Sequence, residues 1–266
     1  MAKVLRRFFR EQNQRILALL GPSLDTITLD LRFNADDEAA LMLAEIEPLL
    51  LSMAATGAAV VVQQADEMST AKAFSFGKFK LPKSVVGAIE STFDKLGKAS
   101  YWRKIQSNVK ESVTDAIKSY LVGDGLSIPN MTKRLRTLLG GASKTRAETI
   151  ARTEVTGAMN SGHQAGYNYL ADEGILEFKQ WLSILDKRCR DTHVAANGQY
   201  ARAKGSFTVG GYRTPYPGWP SLPPQERCRC RCTVIAVFGP EATAAAESQI
   251  AERGEDEDAD EADADA

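Results

Sequence analysis

All four cysteines of this 266-residue chain, and one of its two histidines, fall in two short segments. The first is Trp181-Leu-Ser-Ile-Leu-Asp186-Lys-Arg188-Cys189-Arg190-Asp-Thr-His193-Val-Ala-Ala-Asn197-Gly198-Gln199. The second is Pro223-Pro224-Gln-Glu226-Arg-Cys228-Arg229-Cys230-Arg231-Cys232. Thiols and an imidazole concentrated in this way point to a cross-linked or metal-bound site, and so to two segments that meet in space. If Cys228, Cys230 and Cys232 lie on a strand, alternate side chains share a face and the three thiols point one way. Neighbours two apart on a strand are roughly 7 Å apart at Cα, beyond the comfortable disulfide separation of about 5.5–6 Å. A partner from the other segment, Cys189, is easier to reach. A tetrahedral zinc could take Cys189, His193 and two of the clustered thiols, such as Cys230 and Cys232, although the spacing is not the usual C-x2-C pair. A Cys189 disulfide and plain reduced thiols are the other two readings, and the residues leave all three open. No cofactor is otherwise expected.

Four cysteines in a chain of this length are too sparse for a secreted disulfide scaffold. The start, Met1-Ala-Lys-Val-Leu-Arg-Arg-Phe-Phe-Arg, has no long apolar core and no small-residue cleavage site, so it is not expected to be a secretory signal. The longest uncharged apolar run, Pro48 to Ala65, is only marginally long enough to span a bilayer. It is expected to be a buried helix, with no stable membrane insertion. Folding in a reducing cytoplasm is the default.

The net charge of -1 conceals an asymmetry. From Glu241 onward there are 11 acids and one base, which leaves 32 bases against 23 acids in the body. A basic body suits nucleic acid or an acidic protein surface.

Along the chain, residues 3–20 read as a basic amphipathic helix ended by Gly21-Pro22. Asn34 caps a second helix that runs past Pro48 towards Glu67, with small residues at 54–59 that would let another helix approach closely. In residues 70–83, Phe74, Phe76 and Leu81 alternate poorly with lysines, which reads as a loop or a single short strand, an ordinary connector or a weak single-stranded nucleic-acid contact. Helical spacing returns from Ser84 to Val122, stops at Gly123-Asp-Gly125, and resumes after Ser127 until Gly140-Gly141; a longer helix then spans about 143–172. Strands are expected near Phe178–Leu185 and Thr233–Phe238, with a glycine- and proline-rich stretch between them.

The fold class is therefore α+β: a helical N-terminal region over 1–109, then a small α+β domain over 110–240 in which a long helix packs on a short antiparallel sheet. A disordered, acidic, low-complexity tail over 241–266 completes the chain. On the long helix, Arg152, Glu154 and Asn160 are candidates for bracing the small domain. In the first cysteine segment, Asp186, Arg188, Arg190 and His193 form a polar run. Its structural reading is a turn stapled by an Asp–Arg pair and a histidine hydrogen bond. Its functional reading is acid–base work by His193 held by Asp186.

Four blocks resemble the phage Mu F-protein-like family of minor head proteins. They are Gly125-Leu-Ser-Ile-Pro129…Leu135, Ala151-Arg152-Thr-Glu154…Asn160-Ser-Gly162, Trp181…Asp186-Lys-Arg188-Cys-Arg190-Asp-Thr-His193…Asn197-Gly198-Gln199, and Pro223-Pro224…Cys230-Arg231-Cys232-Thr233. Asn197 stands where the family usually has aspartate and Arg229 where it has asparagine; Cys189 and Cys228 are extra thiols. The resemblance implies a structural, non-catalytic protein of a tailed-phage head, made in the host cytoplasm and carried in the virion. Expected partners are the portal, coat or scaffold proteins, with phage DNA as a non-specific contact. Arg152, Glu154, Asn160, Trp181, Asp186, Arg188, Arg190, His193, Gly198, Cys230, Arg231 and Cys232 are expected to be structural or interaction residues. Two other classes remain as alternatives: a nuclease-like or transferase-like enzyme using Glu154, Arg190 and His193, or a zinc-dependent binding module.

Overall fold

A computed structural model of the chain describes residues 1–20, 32–70, 80–97, 100–123 and 128–253. The helix break at Gly21-Pro22, the aromatic–lysine stretch over 71–79, the Ser127 cap and the tail from 254 lie outside them. The element order is α1 (Ala2–Leu20), α2 (Ala35–Thr70), α3 (Lys83–Gly97), α4 (Ser100–Gly123), α5 (Ile128–Asp172), β1 (Phe178–Leu182), α6 (Asp191–Ala196), β2 (Tyr200–Arg202), β3 (Phe207–Val209), β4 (Tyr212–Thr214), α7 (Pro224–Arg227), β5 (Thr233–Val237) and α8 (Pro240–Arg253). The α+β class read from the sequence is the one observed.

The chain forms two compact units, one from residues 1–49 and 93–151, the other from 50–92 and 152 onward. The divisions at 49 and 151 fall inside α2 and α5, so a linear boundary at 109 does not separate the units. Val109 is itself a core residue of the first unit, packed with Ile16, Leu20, Phe33, Val113, Leu135 and Leu139. In that unit α1 buries Leu5, Phe8, Phe9 and Ile16, while Lys3, Arg6, Arg7 and Arg10 face outward. Gln12 on the buried face is held by Glu38 at 2.9 Å and Gln106 at 2.6 Å, and Arg15 grips both Glu38 carboxylate oxygens.

Asn34 caps α2 as expected, its side-chain oxygen accepting the Asp36 N–H at 2.9 Å. The Ala35–Ala65 stretch is long and apolar enough to cross a membrane by length and composition. Its stripe of Met42, Ile46, Leu50, Ala54, Ala58, Val61 and Ala65 is buried within the protein. Helix α5 passes straight through Gly140-Gly141, where the sequence suggests a stop. Glycine in a helix interior costs about 1 kcal/mol relative to alanine, and burial of Leu135, Leu139 and Ala147 offsets it.

In the second unit the small residues of α2 do admit a close neighbour. A Cβ on Gly162 would meet the Ala54 carbonyl oxygen at 1.9 Å, and one on Gly57 would meet the Met159 oxygen at 2.3 Å. The backbones of α2 and α5 are thus in contact over 54–57 and 159–162. The sheet beyond has strand order β2-β1-β5, all antiparallel, with Trp181 opposite Val234. A separate hairpin, β3–β4, turns on Gly210 (φ 58°) and Gly211 (φ 84°), a two-residue loop that needs positive φ at both positions. It lies inside the stretch that reads from sequence only as glycine- and proline-rich.

The residues after 240 do not begin as a tail. Helix α8 buries Ala246 against Phe178 and Val237. Its Gln249 accepts the Tyr200 N–H at 2.8 Å, and Arg253 donates to the Tyr200 carbonyl. Backbone groups along the edge of β2 are thereby satisfied.

The same substitution should have opposite signs at two places on α5. Gly141→Ala, where a Cβ meets nothing within 4 Å, should raise stability by about 0.5–1 kcal/mol. Gly162→Ala should lower it by about 1–3 kcal/mol or more through forced separation of α2 and α5. Urea unfolding of the two variants measures both.

Candidate functional site

The two cysteine-bearing segments meet in the second unit. His193 sits in α6, a single turn that follows the Asp186 loop, and its ring is buried (3% exposed). Its Nδ1 faces Cys232 Sγ at 3.3 Å and Cys230 Sγ at 3.6 Å. Its Nε2 faces Glu226 Oε2 at 3.0 Å. Thr192 donates to the same carboxylate oxygen at 2.8 Å. Trp181 stacks edge-on against the imidazole at 6.0 Å, and its Nε1 donates to Ser183 Oγ at 3.0 Å. Ser183 donates in turn to the His193 carbonyl at 2.7 Å and lies 3.4 Å from Cys232 Sγ. Every polar atom of this chain of contacts is therefore placed by packed neighbours.

Cys230 and Cys232 behave as a pair. Hydrogen bonding from Cys230, then from His193 and Ser183, holds the Cys232 thiol well below the ordinary thiol range despite its burial. The bond to Cys232 together with burial pushes Cys230 well above it.

The cysteine segment is not the strand it resembles. β5 begins only at Thr233, and Arg229 adopts a left-handed backbone (φ 56°) that interrupts the extension. Cys230 and Cys232 still reach one side, but Cys228 caps the short helix α7 and is only partly buried. Cys189 is likewise half-buried, and among the described residues the group with metal-ligand spacing is His193, Cys230 and Cys232, whose ligand atoms lie within 4.8 Å of one another. All four thiols are free.

Asp186 does staple its loop, accepting the Arg188 N–H at 2.9 Å, but its main cation is Arg231, which reaches both carboxylate oxygens at 2.5 and 2.7 Å. The Arg231 bond holds the Asp186 carboxyl well below the usual carboxylate range. Asp186 is not the partner of His193; Glu226 is. Glu226 stands in no motif that marks it in the sequence, although it is the only carboxylate in the second cysteine segment. Arg190 donates to the Cys228 carbonyl. Gly198 (φ 81°) turns the chain into β2, its N–H bonded to the Trp181 carbonyl at 2.9 Å.

From α5, Glu154 forms a buried ion pair with Arg227 at 2.8 Å, with side chains 6% and 4% exposed. Asn160 donates to the carbonyls of Pro217 and Cys232, both at 3.1 Å, and accepts from Thr233 at 3.0 Å. Thr153 Oγ1 accepts the Arg229 N–H at 3.0 Å. These groups brace the segment that carries the thiols. Arg152 faces outward. Asn197, in the family's usual aspartate position, accepts the Ser183 N–H at 2.8 Å, a task either side chain performs.

An α-helix braced on a small antiparallel sheet, closed by this polar cluster, is the class of structure the sequence motifs describe. Residues 107–235 match the family model described as Phage Mu protein F like protein. Over that stretch, just under half of its length, the chain resembles phage head morphogenesis proteins of the Mu F-like kind. It is also similar to the NAD(+)--arginine ADP-ribosyltransferase EFV of Enterococcus faecalis (strain ATCC 700802 / V583), at 33% identity over 99 residues. That similarity covers 37% of this chain, which spans about a fifth (20%) of the length of that relative. No solved structure matches.

Two substitutions test the bracing. Glu154→Gln leaves Arg227 buried with its carboxylate partner removed and should cost about 3–5 kcal/mol. Arg229→Asn relieves a left-handed conformation that asparagine tolerates better and should raise stability by roughly 1 kcal/mol. Chemical denaturation monitored by tryptophan fluorescence reads both.

Proposed function

We propose that this protein is a minor structural component of a tailed-phage head. It binds the portal or an inner coat or scaffold surface and assists DNA packaging or delivery. The match of residues 107–235 to the phage Mu protein F like family carries this reading. The site supports a structural role. Glu154, Arg190 and His193, which an enzyme reading would group, have separate partners in Arg227, the Cys228 carbonyl and Glu226. The similarity to an ADP-ribosyltransferase extends over a fifth (20%) of that enzyme and does not bring its activity with it.

The charge distribution suits contact with DNA or an acidic protein surface. Body bases outnumber acids by 32 to 23, and α1 exposes Lys3, Arg6, Arg7 and Arg10. Binding to DNA would be independent of sequence and weakened by salt. The acidic stretch beyond α8 would compete with DNA for the same cationic surface.

The expected outcome is co-purification with the portal protein and detection by mass spectrometry in purified heads. Absence from both procapsids and mature heads overturns the reading. Removal of residues 254–266 should tighten DNA binding most at low salt; an unchanged salt series rules out competition by the tail.

A further inference from the structure

We propose that Cys230 Sγ, Cys232 Sγ and His193 Nδ1 bind one zinc ion, which clamps α6 to the segment leading into β5. A tetrahedral zinc with Zn–S near 2.3 Å and Zn–N near 2.05 Å has N···S edges of about 3.6 Å and an S···S edge of about 3.8 Å. The two N···S separations here are 3.3 and 3.6 Å, and all three ligand atoms lie within 4.8 Å of one another. The two N···S separations thus lie near the edge lengths of a zinc tetrahedron.

The chemistry of the donors agrees with the dimensions. Two thiols converge on a single ring nitrogen, which has one lone pair and can satisfy one S–H. A divalent cation at the centre uses that lone pair and both sulfurs together. Two thiolates and one Zn²⁺ sum to zero charge, so the ion does not add net charge to the buried site. The two S–H protons leave to solvent on binding. Sulfur and imidazole donors select zinc or cuprous copper over magnesium and calcium.

The surroundings provide the second layer of support that metal-bound histidines have. Glu226 accepts from His193 Nε2 at 3.0 Å, which keeps the proton on Nε2 and leaves Nδ1 free to coordinate. Thr192 fixes that carboxylate at 2.8 Å. The Cys232 backbone N–H points at Cys230 Sγ at 3.4 Å, a bond that favours the thiolate. A Cβ on Gly210 would come within 2.8 Å of Glu226 Oε1, so the β3–β4 turn closes over the carboxylate. The fourth position is left for a water molecule.

A thiol nucleophile, Cys232 assisted by His193 and Glu226, is the competing use of the same atoms. It gives the second thiol no task, and the three side chains are buried, at 4%, 3% and 7% exposure.

The full chain, purified without chelator, should carry one zinc per molecule by elemental analysis, and no zinc in the folded protein overturns the proposal. Zinc should be lost in Cys232→Ser and His193→Ala and kept in Cys189→Ala and Cys228→Ala; zinc that stays in the first two also overturns it. Because those two variants could misfold, cobalt added to the metal-free wild-type chain supplies a second reading. It should give thiolate-to-cobalt charge-transfer absorption and the intense visible bands of a tetrahedral ion, and their absence counts against the site. Glu226→Gln should weaken cobalt binding by about 10–100-fold while the bands remain. Rapid alkylation of Cys232 by iodoacetamide in a zinc-free wild-type preparation assigns the atoms to nucleophilic chemistry instead. The outcome is independent of whether the protein is found in phage heads.

Discussion

The Glu154–Arg227 ion pair is the contact on which the second unit's geometry turns. Arg227 and its neighbour Glu226 belong to the same four-residue helix. One is fastened to α5, the other to His193. The guanidinium also donates to the Gly218 carbonyl at 3.2 Å, so a loop, a long helix and a short helix share one buried charge. A buried pair of this kind contributes little net stability compared with an apolar replacement, but it is costly to half-break. Its effect is positional: with Arg227 anchored, Glu226 has one direction left in which to point.

The same logic extends along α5. Asn160 is bonded to the carbonyls of Pro217 and Cys232 and to the Thr233 hydroxyl, and so fixes the chain on either side of the thiols. The backbone contact of α2 with α5 holds that helix from behind, because no side chain intervenes at Gly57 or Gly162. Trp181, wholly buried, fills the space between the imidazole and Phe207. The cluster is thus rigid by construction. That suits a staple or a metal clamp better than a site that must open to substrate.

Helix α8 shows how composition misleads at a boundary. Glu241 onward is rich in alanine and acid, and the average over the whole stretch reads as disorder. The first turns nevertheless place Ala246 and Gln249 where β2 needs an apolar neighbour and an amide. Three acids, of the eleven after 240, fall within α8; the denser run follows Arg253.

Local pattern determined a good deal. The amphipathic spacing of α1, the Asn34 cap, the small residues of α2 and the β-branched run of β5 are all encoded by neighbours within a few residues. They were legible for that reason. The four ordered motif blocks likewise carry the resemblance to the Mu F-like family that residues 107–235 match. Gly140-Gly141 was not legible as helix, because the burial that overrides glycine's preference comes from distant segments. The partner of His193 was not legible either. Asp186 is nearer in sequence, but it is drawn to Arg231, and Glu226 arrives from 33 residues away through a short helix anchored on α5. Cys189 and Cys230 look equivalent in sequence, yet only Cys230 joins Cys232 at the imidazole, since Arg229's left-handed turn and the Asn160 bonds decide which thiols turn inward. Residue types and spacing set which groups were available for a site; long-range packing and burial of charge chose among them.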